Sequence, residues 1–171
     1  MKKAKLVCKL LSNILFITGI LYGAMTLYSA LCIFTGWNIT PYGEGNYLHI
    51  NYPFTNQPFL NIDNNTSYML FSFLIPLALY TLFFLFTSKV FKVFYQPRIF
   101  THDNLKHLKR FYLLNLILPL PVIVISGIFT DVESTMWLLV VVHFILGVFT
   151  FLTSLIFQQG LKLQHEQDLF I

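Results

Sequence analysis

Four stretches of this chain run for 20 residues or more without a Lys, Arg, Asp or Glu. They are the 34 residues between Lys9 and Glu44, the 25 between Asp63 and Lys89, the 20 between Arg110 and Asp131, and the 28 between Glu133 and Lys162. A helix needs roughly 20 mostly apolar residues to cross the hydrocarbon core of a bilayer. The chain is also only 11% charged, against about 25% in soluble domains. These features predict an all-α membrane protein, a four-transmembrane-helix bundle forming a single membrane domain over 1–171. The spans are expected at about 10–34, 68–87, 111–130 and 135–157. A long outer loop fills 35–67, a connector 88–110 and a tail 158–171.

The basic residues set a predicted orientation. All 11 Lys and Arg fall at residues 2–9, at residues 89–110, or at Lys162. With four spans those places share one side of the membrane, and the other side carries only Glu44, Asp63, Asp131 and Glu133. Loops rich in Lys and Arg stay in the cytoplasm, so both termini are expected there, in a multi-pass protein of the cell (cytoplasmic) membrane. The net charge of +4 is therefore read as an orientation signal and not as a nucleic-acid surface. The first span reads as an uncleaved signal anchor, because its apolar run is too long for a signal peptide. Cys8 and Cys32 lie toward opposite ends of that span and cannot pair within one chain.

Small and polar residues mark the expected packing faces. Gly19 and Gly23 form a G-x-x-x-G pair, a spacing that lets helix backbones approach closely, either within the bundle or in a homo-oligomer. His143, Gly147, Thr150 and Ser154 form a stripe on the last span at helical spacing. His143 lies about 12 Å into that span at 1.5 Å per residue. An intramembrane ionisable residue is a functional candidate by default; the alternative is a neutral packing histidine bonded to Thr18, Tyr22 or Thr26 of the first span. Pro76 and the Leu118-Pro119-Leu120-Pro121 run should bend the second and third spans. The outer loop is rich in aromatics, Asn and Pro, and partial alternation over 47–54 permits a strand or hairpin.

The connector divides at Gln96-Pro97, which should stop the second helix. Thr101 is a good N-cap for the next one, with Asp103 in its first turn. Leu105 and Leu108 then recur at helical spacing beside Lys106, Lys109 and Arg110. Basic residues here suit anionic lipid. A protein partner would in addition use Thr101, Asn104 and Leu108, and Glu166 and Asp168 of the tail share the compartment. Charge attraction between tail and connector is a further expectation.

No Walker A loop, H-E-x-x-H, C-x-x-C, G-x-S-x-G or G-x-G-x-x-G occurs, so the chain is read as non-enzymatic, without a cofactor or metal. Two function classes stay open: a regulatory or sensor protein with a cytoplasmic partner, and a small transporter or permease component using the Pro-kinked spans and His143.

Two segments carry a resemblance. Pro97-Arg-Ile-Phe-Thr-His-Asp-Asn-Leu-Lys-His-Leu-Lys-Arg110 resembles a P-F-T-x-x-N-x-x-x-L-R-R connector, with Arg98-Ile99 interrupting the Pro-Phe pair. Ile156-Phe-Gln-Gln-Gly-Leu-Lys-Leu-Gln-His-Glu-Gln-Asp-Leu-Phe-Ile171 is similar to an I-F-x-x-G-x-x-L-x-x-E-x-D-L-T-I ending, with Phe170 in place of Thr. Both resemble a family of small bacterial four-span membrane proteins known only as a domain of unknown function. Its members are often encoded beside a Cro/CI-type helix-turn-helix regulator. The resemblance implies such a regulator as partner.

Overall fold

A computed structural model describes residues 2–168. The chain crosses the bundle four times. Helix α1 (Lys2–Thr35) comes first, and a π-helical segment (Tyr68–Leu74) runs into α2 (Ile75–Tyr95). Helices α3 (His102–Ile117) and α4 (Pro119–Phe129) form one broken span, and α5 (Ser134–Asp168) is the last. Each of these four passes is long and apolar enough to cross a membrane. Leu27, Phe34 and Phe149 are 74%, 71% and 72% exposed, a surface that suits lipid and not water. This is a helical multi-pass membrane protein.

The bundle is built from two antiparallel pairs. On α1 and α2, Ser12 Oγ donates to the Ser88 carbonyl (2.9 Å) and Ser88 Oγ to the Ser12 carbonyl (2.7 Å). Further along the seam, a Cβ at Gly19 would lie 2.8 Å from Leu85 Cδ2 and 3.2 Å from the Leu85 backbone nitrogen. One at Gly23 would meet Thr81 Cγ2 at 3.2 Å. The G-x-x-x-G face is thus spent on α2 inside the chain, not on a second copy. The other pair is α3 and α5, where a Cβ at Gly147 would lie 2.7 Å from Leu116 and 3.3 Å from Asn115 Cβ. Phe83 joins the pairs by packing on Phe111 of α3 (5.7 Å between centroids).

The outer loop folds into a meander of β1 (Ile39–Tyr42), β2 (Tyr47–Asn51) and β3 (Pro58–Asp63), ordered β1-β2-β3 and antiparallel. The register sets Ile39 opposite Ile50, and Ile50 opposite Leu60. Strand alternation then puts Leu48, Ile50 and Ile62 on one face. That face packs on Cys32 of α1 and Met69 of the π-helical segment. The β1–β2 turn needs left-handed backbone at Gly43, Glu44 and Gly45 (φ 58°, 57° and 86°). Tyr28 ties the sheet to α1 by donating to the Asn51 carbonyl (2.6 Å). A segment read from sequence as a loop with at most a hairpin is therefore a folded cap. The end it covers is called the sheet end below; the other is the terminal end.

The second span contains a specific exchange of hydrogen bonds. In the π-helical segment the Ile75 N–H donates five residues back, to the Leu70 carbonyl. The next bond in that pattern would run from residue 76 to the Phe71 carbonyl, and Pro76 has no N–H to give. Ser126 Oγ of α4 donates to the Phe71 carbonyl instead (3.0 Å). Thr130 and Ser72 hydroxyls meet at 2.7 Å just above it. These bonds hold α4 against the second span.

Candidate functional site

The π-helical segment borders a cavity of about 170 Å³ between the second span, α4 and α5. Tyr68, Phe71 and Ser72 line it on the π-helical side, and Val122, Ile123 and Ser126 line it on α4. Asp131 and Glu133, from the short α4–α5 connection, stand at its mouth at the sheet end. Its floor is His143, about 14 Å along α5 from Ser134 at 1.5 Å per residue, with Tyr80 and Phe83 of α2 beside it. Pro76 and Pro119, the second at the break between α3 and α4, are both in its wall. A mostly apolar, concave pocket with a few convergent polar groups is the usual form of a small-molecule site.

His143 is bonded, but not to α1. Its Nδ1 lies 2.7 Å from Asn115 Oδ1 on α3, while Asn115 Nδ2 donates to the Phe111 carbonyl (2.8 Å). That second bond orients the amide with its oxygen toward the imidazole, so Nδ1 carries a hydrogen and donates it. The expected partners lie elsewhere: Thr18 donates to Ile14, Thr26 to Tyr22, and the Tyr22 ring packs on Phe84. The first span cannot reach His143 because α2 stands between, with Phe83 5.0 Å from the imidazole. Gly147, Thr150 and Ser154 are buried as the stripe predicted. The face they meet belongs to α3.

At the terminal end, the two segments that carry the family resemblance touch each other. Thr101 caps α3, its Oγ1 accepting from the Asn104 N–H (3.2 Å). Asn104 Nδ2 donates to the carbonyls of Ile99 (2.8 Å) and Arg98 (3.2 Å), closing the turn after Pro97. That turn aims Phe100 at α5, where its ring packs on Phe157 (5.3 Å). A Cβ at Gly160 would lie 2.6 Å from Phe100 Cε1. Leu108, 0% exposed, fills the space between Val93 and Phe157. Connector and tail are therefore latched by apolar contact, and among the described residues no ion pair joins them. Glu166 reaches Lys162 of its own helix at 3.9 Å.

This corrects the sequence reading of the connector. Asn104 and Leu108 are 1% and 0% exposed, so they build the turn and the core and offer no surface to a partner. Lys106, Lys109 and Arg110 are exposed, with Lys106 3.3 Å from Asp103. Asp168 ends the described helix, and its side chain lies outside what is described.

The cavity itself was missed from sequence, although one signal was present. Asn115 is the one Asn or Gln in the charge-free run 111–130, and a lone amide there needs a partner inside the bundle. Among the described residues, no group of three His, Cys, Asp or Glu could hold a metal. No family model, curated protein or solved structure matches the chain.

Proposed function

We propose that this membrane protein is a non-enzymatic sensor or regulator. Its input is the cavity at the sheet end, and its output is the basic connector at the terminal end. The observation that carries this reading is the His143–Asn115 hydrogen bond. It joins the cavity floor to α3, whose first turns are the latched connector. Occupancy that moves the imidazole pulls on the helix that presents Lys106, Lys109 and Arg110. A non-enzymatic role is supported by placement: the carboxylates precede α5 at the sheet end, and the imidazole lies about 14 Å further along that helix than its first residue, Ser134. General acid–base groups must both come within hydrogen-bond reach of the reacting atoms.

The concentration of Lys and Arg at the terminal end supports a cytoplasmic location for that end in a bacterial cell membrane. Reporter fusions after Arg110 should then read as cytoplasmic and fusions within 40–60 as external; the reverse pattern inverts the assignment of input and output. The exposed basic row is the surface we assign to anionic lipid and to a cytoplasmic partner. The partner class suggested by the resemblance is a helix-turn-helix regulator.

The coupling is open to direct measurement. His143→Leu removes the bond to Asn115 while keeping an apolar floor. Amide exchange in residues 98–111 is expected to rise several-fold in that variant, relative to the wild-type chain in the same detergent. Unchanged exchange there would leave the cavity without a route to the connector and sink the sensor reading. A second reading, a small transporter, is favoured by Pro76 and Pro119 both lining the cavity, since broken helices build many transporter sites. It requires flux of the ligand across proteoliposomes, which a sensor does not produce.

A further inference from the structure

We infer that the cavity binds a small organic cation: an ammonium group seated between Asp131 and Glu133, with an apolar or aromatic body running down toward His143. This inference rests on the cavity assigned above as the input site, and adds the chemistry of its ligand. Three independent features converge. The first is charge. The sheet end carries Glu44, Asp63, Asp131 and Glu133, and no Lys or Arg occurs between Lys9 and Lys89 or between Arg110 and Lys162. The two carboxylates at the mouth thus have no cation of the protein's own at that end to neutralise them. A cleft lined by one sign of charge with low-dielectric walls concentrates the opposite charge.

The second feature is the wall just below the mouth. Tyr68 and Phe71 line the cavity there, and Phe71 is held in place by stacking on Phe129 (4.6 Å, 7°). Aromatic faces attract an ammonium within about 6 Å, so the mouth selects a cation by two mechanisms. The third is size. A cavity of about 170 Å³ compares with the roughly 150 Å³ apolar cavity that holds benzene. It fits one aromatic ring or a short aliphatic chain, and Pro76 and Ile123 along the wall give the body nothing to hydrogen-bond. A carboxylate ligand would face two like charges at the entrance. A neutral ligand would gain nothing from the two carboxylates. Free amines and the ammonium of a phosphatidylethanolamine headgroup share the required chemistry.

The test uses the full chain in neutral detergent and three probes of one shape: phenethylammonium, 2-phenylethanol and phenylacetate. Binding of phenethylammonium is expected to be at least about 10-fold tighter than that of 2-phenylethanol, and phenylacetate is expected not to bind. Raising the salt should weaken the cation selectively, because an exposed mouth is screened. Asp131→Asn with Glu133→Gln, both exposed positions, should bring the two affinities together while leaving 2-phenylethanol unchanged. Equal affinities in the wild-type chain, tighter binding of phenylacetate, or no binding of any probe at millimolar concentration overturns the inference. Repeating the titration in neutral discs with and without phosphatidylethanolamine separates the sources. An unchanged affinity assigns the site to a free amine, and an affinity weakened by the lipid assigns it to the headgroup. Failure here is distinct from failure of the sensor reading. If phenethylammonium binds selectively but exchange in 98–111 stays constant, the cation site stands and the coupling falls. If only the neutral probe binds and exchange changes, the coupling stands and the cation site falls.

Discussion

Leu108→Ala is expected to destabilise the protein by about 2–5 kcal/mol, the range for truncating a buried leucine in a core that collapses only partly. Leu108 is 0% exposed and touches both Val93, also 0% exposed, and Phe157, 6% exposed. Those neighbours come from the end of α2 and the end of the membrane-crossing part of α5, so one side chain joins three of the four passes. Asn104→Ala attacks the same latch by a different route. It removes the donor to the part-buried Ile99 and Arg98 carbonyls, at roughly 0.5–1.5 kcal/mol for each hydrogen bond lost. Thermal unfolding in detergent, followed by reactivity of the buried Cys32 thiol, reads both. Lys109→Gln, an exposed position, should melt like the wild type. If Leu108→Ala melts with it and Lys109→Gln falls instead, the connector is a charge surface and the apolar latch has no energetic weight.

The connector illustrates what was legible in sequence and what was not. Thr101 as N-cap follows from residue type and position alone, because a cap is a local hydrogen bond, and the structure has it. The gaps between charges likewise marked four passes, since lipid demands an unbroken apolar run whatever the helices pack against. The Pro119 break was also visible. What failed were statements about which face meets which helix. His143 was assigned a bond to α1, but a stripe of small residues specifies only that some neighbour comes close. Here α3 fills that place and α2 stands in the way. Phe100 and Gly160 carry the resemblance in separate segments, and only the fold brings the ring against the glycine. Leu108 and Asn104 were offered to a partner as the shape and hydrogen bonds that recognition needs beside charge, and the fold uses both inside the latch. The π-helical segment had no local signature beyond Pro76, because its stability depends on Ser126 from a distant helix. The cavity follows from that same long-range exchange, so neither could be read from periodicity.

Gly19→Leu and Gly147→Leu are each expected to cost about 1–3 kcal/mol through overpacking, and their effects should add. At Gly19 a Cβ already lies 3.2 Å from the Leu85 backbone nitrogen and 2.8 Å from Leu85 Cδ2, so relief requires α1 to move away from α2. At Gly147 it lies 2.7 Å from Leu116 Cγ and 3.3 Å from Asn115 Cβ, so α5 must leave α3. Leu116 has rotamers to try; Asn115 is held by its bonds to Phe111 and His143, and this shifts the strain onto the cavity floor. The two glycines serve different helix pairs with no shared neighbour among these contacts, and such sites combine within about 0.3–0.5 kcal/mol of additivity. Gly127→Leu supplies the control, because a Cβ there would meet only Val132 Cγ2 at 3.5 Å, an ordinary contact. Were the small faces of the first and last spans packed on each other, one substitution would already part the shared interface. The second would then cost little, and the double variant would unfold close to the weaker single one. Additive unfolding free energies in detergent, with Gly127→Leu unchanged, are the outcome that this pairing of α1 with α2 and α3 with α5 requires.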